Sequence, residues 1–177
     1  MEIDLKINFR DISLGMVFDP NRLADAQIGK MGFFTKALMP VKRHPGDTLY
    51  WAKNPSISCF GERVKETAMV DPSMGAEMMN GTSAYLFFNR SRLRYVIFQV
   101  IASCIAAMQF TNIFREVASE LLGEAERLKC MQVPSTVMGI TTHEPFHLQY
   151  VWRADGQCLI SEIGQSGKNA FVHWQSE

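Results

Sequence analysis

The sequence predicts an α+β fold: a mainly antiparallel β-sheet of meanders and hairpins, with two principal helices packed on one face. Three observations carry that expectation. Residues 83–123 read as two core strands joined by a polar turn, followed by an amphipathic helix that ends at Gly123. Residues 2–10 alternate apolar and polar side chains, the period of a strand with one wet face. Near the end of the chain, Asp155-Gly156 separates two alternating runs, a strong local hairpin signal.

Taken in order, Ile3, Leu5, Ile7 and Phe9 share one face of the first strand, and Glu2, Asp4, Lys6, Asn8 and Arg10 share the other. Asp19-Pro20 supplies a helix cap and a proline at the first helical position, where its missing N–H costs nothing. Leu23, Ala26, Ile28 and residues 33–38 continue a helical segment that Gly29 and Gly32 weaken, so that it reads as one helix or as two short ones, and Pro40 ends it. A turn at residues 44–47 leads into a strand at 48–52, and residues 56–70 read as one long or two short strands. Residues 71–82, bounded by Asp71-Pro72 and Asn80-Gly81, read as a loop.

The central hairpin follows. Ala84, Leu86 and Phe88 alternate with Tyr85 and Phe87, so both faces of this strand are apolar. Asn89, Arg90, Ser91 and Arg92 form a turn of roughly four residues before a second strand over 93–101. Phe110, Ile113, Phe114, Val117 and Leu121 then recur at helical spacing, capped by Thr111 or Asn112 or, from an earlier start, by Ser103. Residues 130–142 carry no assignable pattern. Strands at 146–152, 157–163 and 170–174 close a single domain of 177 residues, or two helix-plus-meander halves of about 1–101 and 102–177.

Composition bounds the function. Eighteen basic and eighteen acidic residues cancel, which argues against a dedicated nucleic-acid binder and against an electrostatic membrane-surface protein. The apolar run from Tyr95 to Met108 is too short for a span, which needs about 20 residues. Four scattered cysteines with no CxxC pair read as small buried hydrophobes in a reducing compartment. The opening MEIDLKINFR lacks an apolar signal core, so a cytoplasmic location is expected.

Residues 143–147, His-Glu-Pro-Phe-His, satisfy the HExxH spacing of zinc hydrolases, where both histidines ligate from one helix face. Pro145 argues against that helix, and the alternation after it argues for a strand. His143 and His147, with Glu144 as base, therefore define only an alternative, a small metal-dependent hydrolase. The Gly-Lys near residue 168 lacks the spacing of a phosphate loop and reads as a hairpin turn. Arg90, Arg92 and Arg94 alternate, which would place them on one strand face where they could grip a phosphate or an acidic peptide. Met69, Met74, Met78 and Met79 cluster as an adaptable contact surface or a core-filling loop. No cofactor is expected. The leading expectation is a non-enzymatic binding or assembly protein that uses a sheet edge and the methionine segment for a protein partner or self-association. A carrier of a small apolar ligand is the further alternative.

Overall fold

The computed structural model describes residues 1–31, 45–61, 63–65, 79–102, 104–137, 140–164, 167 and 169–177, with side chains at all of these except 65, 79, 80, 102 and 129–147. The described residues form twelve strands and two helices, mostly antiparallel sheet. The first predicted strand is instead a hairpin, β1 (Leu5–Ile7) and β2 (Arg10–Ile12). Asn8 and Phe9 turn the chain at φ 47° and 65°. A two-residue turn with both residues left-handed matches the twist of the flanking strands, and asparagine tolerates that conformation. The alternation survives through the turn and so hides it. Leu5, Ile7 and Ile12 are buried, whereas Phe9 points away from the core.

Helix α1 (Pro20–Asp25) begins as its sequence dictates: Asn21 and Arg22 donate their N–H groups to Asp19 Oδ1 at 2.9 and 3.3 Å. It is short, as one piece of a broken segment would be. Gln27 turns left-handed at φ 56°, and the chain continues as β3 (Gly29–Lys30). Residues 33–38, expected to prolong the helix, lie outside the described residues. β4 (Thr48–Lys53) is followed by β5 (Ile57–Cys59) and β6 (Val64–Lys65), so the 56–70 region resolves into two short strands as far as it is described.

The central hairpin pairs β7 (Met79–Asn89) with β8 (Arg92–Ala102). The last part of the predicted 71–82 loop is thus strand. The turn holds only Arg90 and Ser91, at φ 47° and 62°. A bulge lets Phe87 oppose Tyr95 and Phe88 oppose Leu93, leaving Arg94 as the extra residue. Helix α2 (Cys104–Leu122) takes the earlier of the two expected starts. It ends at Gly123, φ 88°, whose N–H returns to Ser119 O at 3.0 Å. β9 (Glu126–Val137), β10 (Ile140–Ala154), β11 (Gln157–Ile163) and β12 (Asn169–Ser176) complete the chain.

Two antiparallel sheets result, one ordered β2-β1-β5-β6 and the other β3-β4-β7-β8-β12-β11-β10-β9. The β8–β12 pairing joins the two runs of strands in the large sheet. Phe114 of α2 meets Phe60, beside the small sheet, at 5.7 Å and Phe98 and Trp152 of the large sheet at 6.2 and 6.3 Å. Trp152 also donates its indole N–H to Gly123 O at 3.0 Å, fixing the helix end to β10. A second apolar cluster, Leu49, Tyr85, Phe87, Tyr95, Ile97 and Phe171, occupies the other face of the large sheet. No described helix is long and apolar enough to cross a membrane.

Candidate functional site

The second face of the large sheet carries a run of polar side chains on four adjacent strands, two of them buried and two half-buried. Tyr95 of β8 pairs with Gln175, and His173 of β12 pairs with Ile97 and Ile160, so Tyr95 and His173 are diagonal neighbours. Glu162 of β11 opposes Phe171 and Gln149, which puts it diagonal to His173 on the next strand and level with Gln149 on β10. The side chains close these steps. Tyr95 Oη lies 2.6 Å from His173 Nδ1, and His173 Nε2 lies 3.1 Å from Glu162 Oε1. Gln149 Nε2 donates to Glu162 Oε2 at 2.7 Å. Tyr95 is 6% exposed and His173 4%.

The surroundings decide the chemistry. The ring of Phe171 lies 5.9 Å from that of His173, and Phe87 stacks on Tyr95 at 5.4 Å. Burial pushes the Tyr95 phenol well above its ordinary range, the Glu162 carboxylate pushes the same way, and Arg94 opposes both. A phenol can donate to a ring nitrogen or accept from it, so His173 bridges Tyr95 and Glu162 through its two ring nitrogens. Such a chain can hold a proton in place and orient a polar group of a ligand, but it does not generate a phenolate nucleophile. The thiols of Cys59 and Cys158 are likewise raised, in both cases chiefly by burial, away from the reactive thiolate.

Of the three arginines expected on one strand face, Arg92 and Arg94 line one open depression, and Arg90 is not among its lining residues. Arg90 sits exposed in the turn. Arg92 donates Nη1 to Gly15 O at 2.9 Å. The bulge turns Arg94 toward Asp47, where Nε reaches Oδ1 at 3.0 Å and Nη2 reaches Oδ2. Asn89 Nδ2 also donates to Asp47 Oδ1 at 3.0 Å. An open depression of about 530 Å³ lies beside them, bordered by Gly15, Pro45 and Leu93.

Met69, Met74 and Met78 lie outside the described residues, and Met79 opens β7 opposite Ala102. His143 and His147 lie on β10, opposite Pro134 and Cys130. The helix that HExxH chemistry requires is not formed, and four residues of strand separate the two backbone positions by about 13 Å. Glu162, the acid of β11, bonds His173. No protein family, curated protein or solved structure matches the chain.

Proposed function

We propose that this is a non-enzymatic binding protein, with both helices on one face of the large sheet and a small, largely apolar ligand held at the other. The observation that carries the reading is the Tyr95–His173–Glu162–Gln149 chain, buried at Tyr95 and His173 and half-buried at Glu162 and Gln149, amid aromatic side chains. Ligand sites are mostly apolar, with a few fixed polar groups that set orientation. The protonated phenol and the raised thiols support binding over catalysis. Free Cys59, Cys104 and Cys158 agree with a reducing, cytoplasmic setting.

The test is titration with N-phenyl-1-naphthylamine, an uncharged aromatic carrying one N–H group. Saturable one-to-one binding is expected, weakened about tenfold in His173→Ala, since one well-placed polar contact contributes on the order of 1.4 kcal/mol. Absence of saturable binding, or equal binding by the variant, would refute the reading.

A second reading rests on β9, the outermost strand of the large sheet. Residues 140–147 of β10 pair with β9 and, among the described residues, with no other strand. That two-stranded ribbon offers a long edge to which a protein partner could add a strand. The methionines of residues 69–79 join this reading on sequence grounds alone.

A further inference from the structure

The β1–β2 turn carries a side chain that the fold does not need. Phe9 is 82% exposed and sits at φ 65°, where a bulky residue is strained and glycine is the preferred occupant. Its neighbour Asn8 is fixed on both sides. Asn8 Nδ2 donates to Ala26 O at 2.6 Å, and the Ser56 N–H donates to Asn8 Oδ1 at 2.8 Å. The Asn8 N–H reaches Ser56 O at 2.8 Å. The ring is therefore presented on a rigid support, and little ordering remains to be done when it is bound.

The charges around the tip neutralise one another. Lys6 pairs with Asp11 at 3.9 Å and Arg10 with Asp25 at 3.5 Å. The result is an aromatic knob with no net charge, which suits a protein pocket better than an anionic membrane or a nucleic acid.

A receptor of matching chemistry exists on the same chain. The open depression beside β8 is bordered by Pro45, Arg92, Leu93 and Arg94, and the Arg94 guanidinium lies 5.8 Å over the Tyr95 ring. Gly15 holds the Arg92 guanidinium and Asp47 that of Arg94. A planar guanidinium held in place stacks on an aromatic face, and 530 Å³ accommodates a benzyl group. Gly15, on the rim, is six residues from Phe9 and so at most about 20 Å away along the chain.

We propose that two copies of this chain associate about a two-fold axis, each inserting Phe9 into the Arg92–Arg94 depression of the other. Such a contact is isologous and closes at two copies. The experiment is sedimentation equilibrium over a wide concentration range, on wild type, Phe9→Gly and Arg92→Gln, singly and mixed. Wild type is expected to show a monomer–dimer equilibrium, and each variant alone an association at least tenfold weaker. Phe9→Gly is also expected to melt a few degrees higher, because glycine relieves the strained turn. The equimolar mixture restores one intact knob and one intact depression, so it associates more tightly than either variant alone. A monomeric wild type, a Phe9→Gly dimer as tight as wild type, or a mixture no tighter than its components would overturn the proposal.

Discussion

Asp47 illustrates how a single residue can carry local stability here. Its carboxylate has no solvent exposure, while the Arg94 side chain that answers it is 20% exposed. Truncating Arg94 takes a two-point cationic contact from a buried carboxylate that Asn89 also bonds, and breaking such a buried pair costs about 3–5 kcal/mol. Urea denaturation of Arg94→Ala should show a loss of that size. A loss below about 1 kcal/mol would class the pair with exposed bridges. Tyr95 gives a prediction in pH. Its folded pKa lies above the ordinary value of 10.0, so the native state keeps a proton that the unfolded state releases. Its contribution is complete below pH 10 and declines as pH rises past it. Cys59 and Cys158 act with the same sign from 9.0. Chemical denaturation between pH 8 and 12 should therefore show falling stability, with a shallower slope in Tyr95→Phe. An unchanged slope would mean that the phenol titrates freely in the folded protein.

At the scale of elements, α2 joins the two sheets. Phe114 is fully buried and meets Phe60, Phe98, Phe110 and Trp152, and Arg63 of the small-sheet side pairs with Glu120. Phe114→Ala should cost about 3–5 kcal/mol by thermal or urea unfolding. A loss under 1 kcal/mol would mean that the helix does not depend on this contact. This helix was legible because its apolar residues recur at one period and its stop is a glycine. So were the Asp19 cap, the Asp155-Gly156 turn and the central hairpin, each a matter of neighbours in sequence. The β1–β2 hairpin was not, because a two-residue turn preserves strict alternation and Asn8-Phe9 is not a turn pair that composition flags. The exact end of α1 was not legible, because the apolar spacing continues beyond the point where Gln27 turns left-handed.

For the whole molecule, the candidate site depends on register across β8, β12, β11 and β10, which no local pattern encodes. Tyr95 and His173 are 78 residues apart and meet only because the last strand returns to pair with β8. The one local sign was Glu162, a lone acid within the apolar run of residues 157–163. The partner of Arg94 was hidden for the same reason: it bonds Asp47, 47 residues away in sequence, beside a bulge that no local pattern marks. The site that results is a polar chain in an aromatic setting, the composition on which the proposed binding role rests.

The most direct measurement is native mass spectrometry of the protein as purified, wild type beside His173→Ala. The account predicts a small-molecule mass retained at one per chain by wild type and lost from the variant. Wild-type chains carrying no added mass, or a mass kept equally by the variant, would contradict it.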